Sequence, residues 1–148
     1  MMIKIITVGR VKSKNLQELI KYYQKQIPRK TEIITIKDEP TINTINKEGE
    51  AILKHIKDDE YVIALAILGN NLSSEELASM FQKLEVSSNN KITFVIGGSY
   101  GLTDDVINRA NYLLSFSKMT FPHQLMQLIL MEQIYRSFTI MNNHPYHK

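Results

Sequence analysis

The sequence predicts an α/β fold in which a mostly parallel sheet carries helices on both faces. Short runs rich in isoleucine and valine alternate along the chain with segments whose apolar residues recur at helical spacing. The runs are apolar throughout rather than at every second position, which is typical of strands that are covered on both faces. With 148 residues, of which 43% are hydrophobic, we expect one domain over residues 1–148.

Five apolar runs are predicted strands, and the connection between the last two is short. The runs are Met2 to Val8, Glu32 to Ile36, Tyr61 to Ile67, Ile92 to Ile96 and Tyr112 to Phe116. About 15 residues, three of them glycine, separate the last two runs, whereas a crossover between parallel strands needs a dozen or more residues and usually a full helix. We therefore expect one short helix in this connection.

Helices are predicted between the strands. Apolar residues at helical spacing indicate the first helix, and Ser73 to Glu76 matches a capping box that begins a later one. The polar stretch Lys37 to Gly49 predicts a loop that leads into a helix over Glu50 to Ile56. The apolar residues of the first helix are Leu16, Leu19, Ile20, Tyr23 and Ile27.

Thr103 is a predicted N-cap, followed by Asp104 and Asp105 in the first turn of a helix. Two adjacent carboxylates could serve as general acid and base. Carboxylates in a first turn also complement the helix dipole, and we favour this structural role.

The last helix is apolar around most of its circumference. Pro122 is a suitable first helical residue, and eleven of the next nineteen residues are Leu, Ile, Met, Phe or Tyr. A helix that is apolar nearly all round must be covered on nearly all sides. Because a small sheet covers only one face, we expect a homodimer in which a second copy covers the rest. Cover by the chain's own loops is the alternative.

The composition excludes several classes of protein. The chain contains no cysteine, so disulfides, thiolate metal sites and cysteine nucleophiles are impossible, and a reducing, cytoplasmic setting is favoured. No apolar run approaches the roughly 20 residues that cross a bilayer. The apolar start, Met1 to Val8, precedes its basic residues, which reverses the order of a signal peptide. We expect a soluble protein without a membrane partner.

Basic residues are concentrated in the first part of the chain. Residues 1–57 hold 12 of the 18 lysines and arginines but only 6 of the 15 acidic residues. Such a cluster can neutralise phosphates of a nucleic acid. Ordinary solvated helix charges explain it equally well, so both interpretations stay open. The basic residues nearest the first helix are Arg10, Lys12, Lys14, Lys21, Lys25, Arg29 and Lys30.

A glycine-rich segment, Gly97 to Gly101, follows the fourth predicted strand. Open α/β sheets bind ligands at the carboxyl ends of their strands, but glycines also occur wherever a chain turns tightly. The spacing matches neither a dinucleotide fingerprint nor a P-loop. A ligand site and a simple turn therefore both remain possible at this point.

The histidines predict no metal site. His144 and His147 lie three residues apart, but no third ligand accompanies them, so we expect no metal. His123 follows Pro122, where a capping or packing role is the ordinary one. No serine lies in a nucleophile elbow.

Four separated motifs together resemble the bacterial large-subunit ribosomal RNA methyltransferase H family, of the SPOUT class. The similarity extends to the opening Ile6 to Arg10 and covers essentially the whole chain. The motifs are Phe94 to Leu102, Leu114 to Gln124, Glu132 to Arg136 and Asn143 to Lys148.

The resemblance implies an S-adenosylmethionine-dependent methyltransferase with a trefoil knot at its C-terminus and a homodimeric arrangement. True knots are exceptions to ordinary topology, and a knot would account for the short glycine-rich connection and the apolar last helix. The implied reaction is transfer of a methyl group to N3 of a pseudouridine in large-subunit ribosomal RNA within assembled ribosomes.

The resemblance also implies which residues bind the cofactor. The family's positions correspond to Leu65, to Gly97 and to a continuous segment after the fifth predicted strand. Apolar side chains and loop amides suit an adenine, and a glycine allows close approach of the backbone. The residues of the segment are Phe116, Ser117, Lys118, Met119, Thr120 and Phe121.

Candidate catalytic residues lie in the tail. The acceptor N3 is protonated and must lose its proton, so a base or a group that stabilises the anion is needed. We predict that His147 takes part in proton removal, with Tyr146, Lys148 and Arg136 beside it; the alternative is that these residues only order the tail. A non-catalytic RNA-binding module and a SPOUT methyltransferase acting on tRNA are the competing functions.

Overall fold

The computed structural model describes residues 1–87 and 89–148. A short 3-10 turn, Ile42–Thr44, precedes the second helix. The strands and helices, in chain order, are β1 (Met2–Val8), α1 (Lys14–Gln26), β2 (Lys30–Ile36), α2 (Ile45–Lys54), β3 (Tyr61–Asn71), α3 (Ser74–Val86), β4 (Lys91–Ile96), α4 (Asp104–Arg109), β5 (Tyr112–Ser115) and α5 (His123–Met141).

The five strands form one sheet in the order β2-β1-β4-β3-β5, and every neighbouring pair is parallel. In the centre of the sheet, Ile5 pairs with Ile33 of β2 and with Phe94 of β4. Because all strands point the same way, their carboxyl ends meet at one edge. The predicted parallel α/β sheet is confirmed.

Each face of the sheet is covered by its own hydrophobic cluster. On one face, side chains such as Ile5 and Phe94 pack with residues of α1, α3 and α5. On the other face, Ile6 and Val95 pack with residues of α2 and α4. Neighbouring strand residues therefore point into different cores, which explains why the strand sequences are apolar at every position.

The last helix, α5, packs between α1 and α3. The ring of Phe138 lies 5.5 Å from that of Phe81 in α3, and the ring of Tyr135 lies 5.9 Å from that of Tyr23 in α1. The chain's own helices thus cover part of α5, and a set of its apolar residues is only half-buried. These residues are Leu125, Met126, Leu128, Ile129, Tyr135, Ile140 and Met141. Within the described ranges, no helix is long and apolar enough to cross a membrane.

The second helix begins earlier than the sequence predicts. The predicted loop Lys37 to Gly49 contains a 3-10 turn and the first half of α2, which runs over Ile45–Lys54 and not over Glu50 to Ile56. The error arises because Glu48 and Gly49 lie on the buried face of the helix. A carboxyl and a glycine at core positions break the apolar pattern on which the prediction depends.

Three smaller differences concern element ends. Strand β3 continues to Asn71, with a shift in its pairing to β5 between Leu65 and Asn70. Thr103 occupies the N-cap position of α4 as predicted, but its side chain makes no capping hydrogen bond. Pro122 is the residue before α5 and not its first helical residue. The capping box of α3 is confirmed, with both hydrogen bonds between Ser73 and Glu76 present.

Replacement of Phe81 by alanine tests the larger core. Phe81 is 1% exposed, and its ring contacts those of Phe94 and Phe138. We expect Phe81→Ala to lower the free energy of unfolding by about 3–5 kcal/mol in urea denaturation. Val86, on the same helix, is 83% exposed, so Val86→Ala should change it by less than about 0.5 kcal/mol. Equal effects of the two substitutions would contradict this packing.

Candidate functional site

A cavity of about 720 Å³ lies at the carboxyl edge of the sheet, where β3, β4 and β5 end. Its size falls within the range of small-molecule and cofactor sites. Three segments of chain enclose it. They are the part of β3 that follows its pairing with β4 (residues 65–68), the glycine-rich turn after β4 (residues 96–102) and the segment from the end of β5 to the start of α5 (residues 113–123).

Seven of the eight predicted cofactor residues line this one cavity. The exception is Lys118, which lies between two lining residues but does not line the cavity itself, and its side chain is exposed. The structure thus brings together positions that are 56 residues apart in sequence. The seven lining positions are Leu65, Gly97, Phe116, Ser117, Met119, Thr120 and Phe121.

Glycine is required in the turn at one wall of the cavity. The N–H of Gly101 donates to the carbonyl oxygen of Gly98 over 3.1 Å, and Gly101 has a φ of 78°, in the region that favours glycine. A Cβ on Gly97 would lie 3.0 Å from the backbone carbonyl of Gly101. The turn therefore presents bare backbone to the cavity.

The segment after β5 is held in shape by its own hydrogen bonds. The Ser115 hydroxyl donates to the carbonyl oxygen of Ser117, and the Ser117 hydroxyl accepts from the N–H of Met119, each over 3.0 Å. From the end of β3, the Asn71 amide donates to the Ser115 carbonyl oxygen over 2.9 Å. The wall that carries Phe116 and Phe121 is preformed.

The sequence did not identify two parts of the cavity. Past Leu65, the extended end of β3 carries Ile67 and Leu68, which are 50% and 96% exposed. Ile67 is the last residue of the apolar run that predicts a buried strand, and Leu68 directly follows that run. The second part is His123, which packs against Gly9: a Cβ on Gly9 would lie 2.9 Å from the His123 Nε2. Its position directly after Pro122 was the available signal.

The predicted catalytic residues form a second cluster, which we call the tail cluster: Glu75, Glu132, Arg136, Tyr146 and His147. The guanidinium of Arg136 donates to Glu132 over 2.6 and 2.9 Å. The Tyr146 hydroxyl donates to the same carboxylate over 2.9 Å. The His147 ring lies between Arg136 and Glu75. The C-terminal residues are thereby fixed to α5 and to the start of α3.

The partners of His147 determine its tautomer. Its Nδ1 lies 3.0 Å from an Arg136 nitrogen, and its Nε2 lies 2.6 Å from the Glu75 carboxylate. An arginine can only donate and a carboxylate accepts, so Nδ1 accepts and Nε2 carries the proton. His147 is neutral in this geometry, and both of its nitrogens are engaged. It can accept a proton from another molecule only at Nδ1, once the contact with Arg136 opens.

The environment of the tail cluster keeps Tyr146 protonated and Arg136 charged. Burial raises the pKa of Tyr146 well above its usual range, and its hydrogen bonds with Tyr23 and Glu132 add to the rise. The hydrogen bond to Glu132 raises the pKa of Arg136. The guanidinium also lies over the Tyr146 ring, 4.8 Å from its centre. Tyr146 is therefore a hydrogen-bond donor here and not a base.

The tail cluster and the cavity are separate within one chain. His123 lines the cavity at the start of α5, and Arg136 lies thirteen residues further along the same helix. At 1.5 Å per residue, that is about 20 Å along the helix axis. None of the residues 132–148 lines the cavity. The structure does not bring the two sets of predicted site residues together.

Three ring nitrogens of the tail histidines have hydrogen-bond partners. The Nδ1 of His144 accepts from the N–H of Tyr146 over 3.1 Å, and His147 is engaged as described. In the part of the chain that the structure describes, no three histidine, aspartate or glutamate side chains are grouped so that they could bind a metal ion.

Part of the basic surface lies beside the cavity. Arg10, Lys12, Lys14 and Lys21 are exposed. The N–H of Lys12 donates to the Gln124 side chain over 3.0 Å, next to the cavity residue His123. The segment between β1 and α1 therefore adjoins the start of α5, and its positive charge is near the cavity opening.

Comparison with known proteins gives consistent matches over the whole chain. The family described as "Predicted SPOUT methyltransferase" matches residues 1–147. A protein of Acholeplasma laidlawii, "Ribosomal RNA large subunit methyltransferase H", is 54% identical over 148 residues, which cover all of both chains. Proteins of the same name from Alkaliphilus oremlandii and Clostridium botulinum are 53% and 46% identical, again over the full length of each.

A solved structure shares the fold. It is described as a probable methylase family protein from Haemophilus influenzae, with a TM-score of 0.60 and 16% sequence identity. The superposition covers 99% of this chain and 70% of that one. At this identity the similarity concerns the fold alone.

Proposed function

The chain belongs to the SPOUT methyltransferase family, and we propose that it methylates large-subunit ribosomal RNA, as the names of its full-length relatives state for them. We further propose that S-adenosylmethionine is the methyl donor and N3 of a pseudouridine the acceptor, in assembled ribosomes of the cytoplasm. The observation that carries the proposal is the preformed apolar cavity at the strand ends, which seven predicted donor-binding residues line.

The residues around the cavity fit this donor. Leu65, Phe116, Met119 and Phe121 offer apolar cover for an adenine, and the backbone of the segment after β5 offers amides for hydrogen bonds. Gly97 lines the cavity, and the absence of a side chain there leaves room for the backbone of Gly101 in the turn. When bound, S-adenosylmethionine supplies a methyl group on a sulfonium, which is already a strong electrophile.

The remaining task of the protein is to orient the acceptor and to remove a proton. Holding the acceptor nitrogen in line with the methyl carbon and excluding water lowers the barrier without metal or redox chemistry. The N3 proton must leave before or during attack. His147 is neutral in its observed geometry, so its imidazole can accept that proton at Nδ1 once the contact with Arg136 has opened. Arg136 then stabilises the negative charge that develops on the pseudouridine ring.

We propose a homodimer in which the tail cluster of one chain serves the cavity of the other. Two observations support this arrangement. Three half-buried apolar residues of α5, Leu125, Ile129 and Ile140, lie outside both hydrophobic clusters of the chain, and the tail lies about 20 Å along α5 from the cavity of its own chain. A second copy that covers α5 would hide these residues and could bring a tail to each cavity.

The trefoil knot is also part of the proposal. The segment that leaves β5 returns beside the glycine-rich turn to begin α5 against Gly9, as expected of a chain that passes through a loop. An experimental structure in which residues 116–122 run outside the loop formed by residues 96–115 would contradict the knot.

Methyl transfer tests the proposed function directly. With labelled S-adenosylmethionine, we expect the protein to methylate intact ribosomes, and mapping should locate the label on a pseudouridine of the large-subunit RNA. Separated subunits and tRNA should accept little label. We expect Gly97→Val to lower the rate at least about tenfold, because its side chain would meet the Gly101 backbone.

Val86→Ala, on the exposed side of α3, is the matched control and should keep the wild-type rate. Label in tRNA but not in ribosomes would show that the substrate is tRNA and not ribosomal RNA. If no substrate accepted label and calorimetry gave no saturable heat with the donor, the chain would be a non-catalytic member of the family.

We expect the exposed basic residues Arg10, Lys12, Lys14 and Lys21 to bind the ribosome. We expect the triple substitution Lys12→Glu, Lys14→Glu and Lys21→Glu to weaken ribosome binding at least about tenfold and to flatten its dependence on salt, because three fewer phosphates are neutralised. Lys83→Glu, an exposed lysine on α3, is the single-residue control. Unchanged affinity and salt dependence in the triple variant would rule out this surface.

Mixed dimers test the roles of His147 and of the partner chain. We expect His147→Ala to slow single-turnover methyl transfer while donor affinity stays normal. When His147→Ala chains are mixed and refolded with Gly97→Val chains, activity should return, because the mixed dimer has one intact cavity and one intact tail. A normal single-turnover rate in His147→Ala would remove the assignment. No recovery on mixing, despite mixed dimers, would place tail and cavity in the same chain.

A further inference from the structure

Two glutamates are buried in the described chain, and only one of them has a cation beside it. Glu60 and Glu48 are each 3% exposed. The Glu60 carboxylate lies 2.6 Å from the Lys4 ammonium and accepts from the Thr93 hydroxyl over 2.9 Å. The charged neighbours that act on Glu48 are Asp38 and Glu39, both acidic. A buried carboxylate without a cation is costly, so burial favours the protonated form of Glu48.

Glu48 connects α2 to the segment after β2. One of its oxygens accepts from the N–H of Glu39 over 2.7 Å, and its side chain also hydrogen-bonds the carboxyl of Asp38. Two carboxyl groups share a hydrogen bond only through a proton, and the buried partner is the one that retains it. Burial raises the pKa of Glu48, with Asp38 adding to the rise and the Glu39 N–H opposing it.

The other charged groups around α2 do not replace the missing cation. Lys37, at the end of β2, is exposed. The packed neighbour α4 begins with Asp104 and Asp105, which add negative charge. Its Arg109 donates to the carbonyl oxygens of Lys57 and Glu60 and is thus engaged at the opposite end of the helix.

The segment that Glu48 holds lies directly behind the glycine-rich turn. A Cβ on Gly98 would lie 3.1 Å from the Asp38 carboxylate oxygen, and Gly98 lines the cavity. The next residue of α2, Gly49, packs equally closely on Thr103: a Cβ there would lie 2.5 Å from the Thr103 hydroxyl. Glu48 therefore supports the turn at Gly98 through Asp38, and Gly49 supports the chain just after the turn through Thr103.

We propose that Glu48 is a positioning residue for the cavity: in its protonated form it holds Asp38 against Gly98 and so fixes the turn that receives the methyl donor. When Glu48 ionises, three acidic groups lie together without a cation, and the segment 38–40 moves away from the turn. Naming the ligand as a methyl donor rests on the proposed function; the coupling of Glu48 to the turn does not.

The proposal gives donor binding a defined pH dependence. Because the donor binds to the ordered turn, binding favours the protonated form of Glu48. At pH values where Glu48 of the free protein is ionised, donor binding is therefore coupled to uptake of one proton. The dissociation constant should then rise with pH, by up to about tenfold per pH unit. The free energy of unfolding should fall over a lower pH range, in which the folded protein still retains the proton but the unfolded chain has released it.

Calorimetry with S-adenosylhomocysteine, a donor analogue that carries no reactive methyl, measures this dependence across a series from mildly acidic to alkaline buffers. In Glu48→Gln, the amide can donate to Asp38 and accept from Glu39 at every pH, so we expect tight binding with a flat pH profile. Glu50→Gln makes the same chemical change at an exposed position of the same helix and should keep the wild-type profile. Identical profiles in wild type and Glu48→Gln would overturn the proposal.

Amide hydrogen exchange of residues 97–102 without ligand gives an independent readout. After correction for the intrinsic rate, we expect protection of these amides to fall with rising pH in wild type and in Glu50→Gln, but not in Glu48→Gln. Absence of this difference would overturn the proposal whether or not the ligand binds. If the difference is present but the analogue does not bind to any variant, the proposed donor is wrong while the role of Glu48 stands.

Discussion

Burial of the parallel sheet on both faces is the constraint from which the rest of the structure follows. Because neighbouring residues of β1 and β4 point into different cores, the strands cannot be exposed on either side, and helices must cross both faces. Ligand chemistry is then confined to the edge where the strands end. At the ends of β3, β4 and β5 this edge widens into the cavity, which glycine-rich backbone and apolar side chains complete.

The apolar runs were sufficient to predict the strands, because they are apolar at every position, as expected of strands that are buried on both faces. The same logic failed at α2, where Glu48 and Gly49 occupy buried positions: the Glu48 carboxyl accepts from the Glu39 N–H, and Gly49 packs on Thr103, so neither position needs an apolar side chain. It failed again at Ile67 and Leu68, which look like core residues but are exposed at the cavity. Contacts between distant segments decide both cases, and a single sequence does not display them.

The predicted site residues divide into two groups that the sequence could not place relative to each other. The resemblance identified both groups, and seven of the predicted donor residues line one cavity. The tail cluster lies elsewhere on the chain and is held by Glu75 and Glu132, neither of which the motifs singled out as functional. His147 has both ring nitrogens engaged in this arrangement, so its contact with Arg136 must open before it can accept a proton.

We propose that the cavity at the strand ends binds the methyl donor. The most direct measurement is the change in backbone amide NMR signals of the labelled protein on addition of S-adenosylhomocysteine. We expect saturable shifts at Leu65, Gly97 and Phe116 to Phe121, with the edge strand β2 unaffected. Saturable shifts confined to residues outside the cavity, or no shifts at saturating ligand, would contradict it.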